Sequence, residues 1–75
     1  MLLQASAIKS PTGRGRREDW SQLVGRTVEV WLGANLVTTG VVDQATSDDM
    51  VVWIAAQGIQ RRKLYDKLTG YEVWA

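Results

Sequence analysis

From residue 27 onward the side chains alternate. Val28, Val30 and Leu32 are separated by Thr27, Glu29 and Trp31. Successive side chains leave a pleated ribbon on opposite faces, so this period of two predicts a half-buried strand over residues 27–32. Gly33, Ala34 and Asn35 supply a turn. A second strand is expected over residues 36–42, interrupted by Gly40, where a missing Cβ permits a bend or a bulge. Residues 43–49 read as a polar loop. Residues 50–55 are a continuous apolar run of strand length and read as the central strand, which Gln57 and Gly58 turn back. A fourth strand is expected over residues 59–63. Leu64 and Leu68 lie four apart with Gly70 beyond them, which predicts a helical turn over residues 64–68. Residues 71–74 make the last strand. Ahead of all this, residues 18–24 predict one or two turns of helix, with Asp19 as N-cap and Gly25 as its left-handed stop.

Five short strands within residues 20–75 give an all-β domain. An open sheet of that size would leave an apolar face and two bare edges, so a strongly bent five-stranded barrel that brings first and last strands together is expected. All nine valines lie at position 24 or later, and residues 1–19 are small, polar and basic. The chain therefore divides into a basic N-terminal arm, residues 1–19, and a small β-barrel, residues 20–75. The arm is expected to be flexible or docked on the barrel or a neighbour. Leu2, Leu3 and Ile8 would pin its front, and Pro11, Thr12 and Gly13 would turn it.

Composition narrows the chemistry. The 75 residues contain neither Cys nor His, which removes thiol nucleophiles, imidazole bases, disulfides and the usual zinc sites. No glycine-rich phosphate cradle is present, so no enzyme, cofactor or small-molecule substrate is expected. Asp43, Ser47, Asp48 and Asp49 lack the ordered oxygen spacing of a calcium loop and are expected to be solvated, with no metal. Formal net charge is +1, short of the Lys and Arg surplus by which phosphate-binding domains gain affinity through counterion release. The longest apolar run, residues 50–56, is far below the ~20 residues of a membrane helix. A cytoplasmic protein is expected.

Residues 23–54 resemble the first motif of the Sm-like small barrels. Leu23, Gly25, Arg26, Val28, Val30 and Leu32 are followed by Gly40, Val41 and Val42, an acidic loop and Met50, in that family's layout. The resemblance implies an SH3-like/Sm-like barrel with a short N-terminal helix, a helical turn before the last strand, and a tendency to assemble through exposed strand edges. It also departs from the motif. Sm-like proteins follow this Met with a base-contacting Asn, whereas Val51 follows here. Their second motif ends in Arg-Gly, whereas this chain has Ile59, Gln60, Arg61, Arg62 and Lys63.

Six aromatic residues remain to be placed. Trp53, in the central run, is expected in the core, and Trp20 should seat its short helix on one end of the barrel. The alternation puts Trp31 on the face of Glu29, and Trp74 on the face of Glu72, with both acids toward water. Trp31, Trp74, Glu29 and Glu72 thus form a candidate partner or self-association surface, the alternative being that the arm or strand twist covers the indoles. Arg61, Arg62 and Lys63, with Arg14, Arg16 and Arg17 in the arm, are the candidate nucleic-acid contacts, with Tyr65 as a stacking neighbour. The alternative is a charged strand edge that blocks aggregation. The expectation is a non-enzymatic small-barrel interaction or assembly module with a protein partner or a homo-oligomer. An Sm-like RNA or single-stranded nucleic-acid binder stands second, and a subunit of a larger phage or ribonucleoprotein assembly third.

Overall fold

A computed structural model describes residues 13–75. Six antiparallel strands form one sheet: β1 (Arg16–Arg17), β2 (Thr27–Leu32), β3 (Asn35–Ala45), β4 (Val51–Ile54), β5 (Lys63–Asp66) and β6 (Tyr71–Trp74), in the order β1-β6-β2-β3-β4-β5. The expected pairing of the first long strand with the last is present as β2 on β6. The sheet nevertheless does not close, because its ends, β1 and β5, do not pair.

The long strand β3 belongs to both halves. Its residues from Asn35 to Val41 pair with β2, and Val42, Gln44 and Ala45 pair with β4. Two irregularities in register bend it: Val37 is extra against β2, and Asp43 is extra against β4. Between them sits Gly40, where a Cβ would lie 2.6 Å from Cγ2 of Ile54, so a side chain there would force a neighbour to shift. The bend lets both halves face one core of Trp20, Leu23, Val28, Val30, Val42, Val52, Ile54, Tyr65 and Val73. A flat sheet could not gather side chains from β2, β4, β5 and β6 into a single cluster.

Several expectations are corrected. The strands number six, because Arg16 and Arg17, assigned to the arm, add an edge strand to β6, extended by Gly15 N to Ala75 O at 3.1 Å and the reciprocal bond at 2.9 Å. Instead of an N-terminal helix there is one 3-10 turn, Trp20–Gln22. Asp19 does stand at its N-cap position but makes no side-chain cap, because its carboxylate is held by Arg17. Gly25 takes the expected left-handed conformation at φ 88°. The helical turn over residues 64–68 is absent: β5 runs to Asp66 because Tyr65 points into the core, and Leu64 and Leu68 are 42% and 85% exposed. The fourth strand starts later than expected, since residues 57–60 form a tight turn closed by two Gln57–Gln60 backbone bonds of 2.9 Å. The polar loop is shorter, with Asp43, Gln44 and Ala45 inside β3. Trp53 is not core: Val52 and Ile54 face inward, which turns Trp53 to the outer surface. Leu2, Leu3, Ile8 and the turn at Pro11 and Thr12 lie outside the described residues. Among the described residues no helix is long and apolar enough to cross a membrane.

Candidate functional site

The register of β2 and β6 sets Glu29 opposite Trp74 and Trp31 opposite Glu72, a checkerboard of acids and indoles. Residues two apart on a strand share a face, so each indole reaches the carboxylate on its own strand. Trp31 Nε1 donates to Glu29 Oε1 at 3.1 Å, and Trp74 Nε1 donates to Glu72 Oε1 at 3.2 Å. The segment around β1 completes the network. Arg14 Nη1 donates to Glu29 Oε2 at 3.2 Å, and Arg16 lies 3.8 Å from Glu72 and 3.2 Å from Glu18. Glu29, expected toward water, is only 6% exposed, because indole and guanidinium groups replace its hydration. Glu72, Trp31 and Trp74 are half-buried. This face of the sheet is thus held by the chain's own groups.

Arg17 is engaged within the fold as well. Arg17 forks onto Asp19 at 2.9 and 2.7 Å and holds that carboxyl below the usual carboxylate range, while its carbonyl accepts from Trp20 Nε1 at 3.0 Å. The arm cations lie on and beside β1 and residues 61–63 lead into β5, the two terminal strands of the order. In the acidic turn, hydrogen bonds from the Thr46 hydroxyl and the Met50 amide lower the pKa of Asp48, and those from Ser21 lower that of Asp49. Asp49 Oδ1 accepts from Ser21 N at 2.8 Å, tying the turn to the 3-10 segment. Ser47 is exposed. Among the described residues no group of three or more acidic, His or Cys side chains is placed to hold a metal.

Within the basic cluster the three side chains have different fates. Arg62 lies 4.2 Å above the Trp53 ring, donates from Nε to both Asp43 oxygens at 3.2 and 2.9 Å, and from Nη2 to Gln44 at 2.8 Å. Its charge is matched and the indole face covered. Arg61 and Lys63 have no carboxylate partner among the described residues; the Lys63 ammonium is 5.9 Å from the Tyr65 ring.

These two cations flank a groove that the sequence reading did not find. It opens between β3 and the chain leading into β5, has a volume of about 320 Å³, and is lined by Val37, Thr39 and Gln57 together with Arg61, Arg62 and Lys63. Ile54 and Tyr65 form its floor. A shallower extension of about 380 Å³ reaches Ile59, which is 100% exposed at the tip of the 57–60 turn.

Backbone geometry places polar main-chain groups on one wall. Val42 directs its N–H to Arg26 O at 3.1 Å and its carbonyl to Gly25 N at 2.7 Å, both on the β2 side. In an antiparallel strand these directions alternate, so Gly40 and Thr38 also face β2 while Val41 and Thr39 face away. Val41 O accordingly accepts from Ala55 N at 2.8 Å. Beyond Ala55 the opposing chain folds into its own turn, and no backbone bond crosses from Thr39 to it. The Thr39 amide and carbonyl therefore face the groove. Alternating valines cannot announce such a gap; Gly58 after Gln57 marked the turn, but not that the turn would leave β3 uncovered. Comparison with known proteins finds no matching family model, no matching curated protein and no matching solved structure.

Proposed function

We propose that this chain is a non-enzymatic interaction module, a small bent barrel of the SH3-like/Sm-like kind, whose partner engages the groove between β3 and residues 57–63. The observation that carries this reading is the pair Arg61 and Lys63, two cations without a carboxylate partner among the described residues, beside Thr39, whose backbone groups face the groove. The Trp31 and Trp74 surface is the weaker candidate, because its polar groups are engaged within the fold.

A nucleic-acid partner is the second reading, favoured by the same two cations. Against it, the aromatic groups nearby are poor stacking platforms: Tyr65 is 4% exposed, and the Trp53 face carries Arg62.

The test is a charge reversal at both positions, Arg61→Glu with Lys63→Glu. Both side chains are exposed, so the unfolding midpoint should hold while the partner recovered by the wild-type chain is lost. In the wild type that partner should shift the amide resonances of Thr39, Gln57 and Arg61. A partner bound equally well by the double variant, or one that shifts Trp31 and Trp74 instead, would move the site to the other face.

A further inference from the structure

Resting on the groove reading, we infer that the occupant is an extended, acidic peptide segment of a protein partner, which adds as a strand along β3 at Thr39. Three features converge. The Thr39 N–H and C=O face away from β2, where they offer one donor and one acceptor to an incoming strand. Main-chain pairing of this kind fixes the direction and register of the guest but is indifferent to its sequence. Selectivity then comes from what lines the groove. Arg61 and Lys63 line the groove and have no carboxylate partner among the described residues, so acidic side chains on the guest would complete them. The exposed aliphatic groups of Val37 and Ile59 would receive the guest residues that alternate with those acids.

A phosphate backbone would satisfy the cations equally well. It could not pair with Thr39 in register, however, and would find the local aromatic faces shielded. Of the two macromolecules, the peptide uses every feature of the groove.

The experiment uses the full chain, isotopically labelled, titrated with short synthetic peptides that alternate Val or Thr with Glu or Asp. The same peptides with Lys in place of the acids, and an oligo-dT, serve as competitors. The acidic peptides should bind, shift the Thr39 amide and slow its hydrogen exchange, and the Lys versions should not. Methylating alternate backbone nitrogens in the peptide separates strand addition from charge attraction alone. Methylation of the set that faces β3 should weaken binding at least about tenfold, and methylation of the other set should not. Arg61→Glu with Lys63→Glu should remove the preference for acids while the Trp fluorescence of the folded chain is unchanged.

Equal binding of acidic and Lys peptides, or indifference to both methylations, overturns the inference. Binding of oligo-dT at Thr39 and Arg61 with no peptide bound also overturns it, yet leaves the groove as the functional surface. If none of the probes perturbs a groove resonance, the inference fails. The groove reading fails with it only if the partner recovered by the wild-type chain also binds the charge-reversed variant.

Discussion

Gly40 has no room for a methyl group. The Cβ of an alanine would lie 2.6 Å from Ile54 Cγ2, a methyl group fixed to the β-carbon of a buried side chain, which cannot swing aside as the far end of a surface side chain could. Gly40→Ala should destabilise the chain by about 1–3 kcal/mol, the usual cost of overpacking, as read from urea unfolding. Introduced into an Ile54→Ala background, the same change should cost less; equal costs in both backgrounds would show that the strain lies elsewhere. Asp49 acts through hydrogen bonds instead. Ser21 lowers its folded-state pKa from the ordinary value, so its contribution is present above the unfolded carboxylate range and is lost as pH falls through the folded value. Asp19 and Asp48 are shifted in the same direction, by Arg17 and by Thr46 with Met50. Stability should therefore be flat near neutral pH and decline below the ordinary Asp range, and Asp49→Asn should shallow that decline. An acid limb of unchanged slope in the variant would remove Asp49 from the account.

At the scale of elements, β3 decides the architecture, because it is the one strand both halves share. Its eleven residues exceed the expected strand by Asn35 at one end and by Asp43, Gln44 and Ala45 at the other. The extension was hidden because Asp43 and Gln44 are polar, and an outward-facing polar pair looks like loop when the bulge that places it is unknown. Arg62 shows why the polar pair tolerates a strand: it binds Asp43 and Gln44 while lying on Trp53, so three elements meet on the outer surface. A direct consequence of the alternating backbone is measurable. Thr38 pairs opposite Val30 with its amide toward β2, whereas the Thr39 amide faces the groove. Native-state hydrogen exchange should be slow at Thr38 and fast at its neighbour. Comparable protection at both would mean that the edge is covered. Residues 57–63 depart from the expected strand for a related reason: Ile59 is apolar by composition but fully exposed, at the tip of a turn that completes its bonds with itself.

The whole molecule has one core, to which the 3-10 turn and β2 through β6 all contribute. Trp20 lies within it, Trp53 on β4, and Trp31 and Trp74 on β2 and β6, so indole fluorescence samples both halves of the sheet. Unfolding followed by fluorescence and by far-ultraviolet circular dichroism should give coincident transitions, as a small single-core domain requires. Separated transitions would show that the β2–β6 half and the β4–β5 half fold as distinct units. Stability of only a few kcal/mol is in keeping with a core of this size, where a fully buried Val or Leu adds about 1.5–3 kcal/mol. The segment around β1 supplements it by pairing with β6 and by carrying Arg14 and Arg16 to Glu29 and Glu72.

The sequence by itself determined the all-β class, the inward set Val28, Val30 and Val73, and the pairing of the first long strand with the last; the bend or bulge expected at Gly40 lies instead at Val37 and Asp43 on either side of it. The class, the inward set and the pairing follow from the side-chain period of a ribbon and the free energy of removing apolar area from water. Tertiary structure alone decided that Glu29 would be buried, that Trp53 would lie outside beneath Arg62, that Arg16 and Arg17 would become a strand, and that Thr39 would face a groove. Each of those depends on which residues distant in the chain arrive opposite one another, and one bulge in β3 is enough to change that register. Charge behaves likewise: only neighbours in space pair Arg14, Arg16, Arg17 and Arg62 with carboxylates and leave Arg61 and Lys63 without one among the described residues.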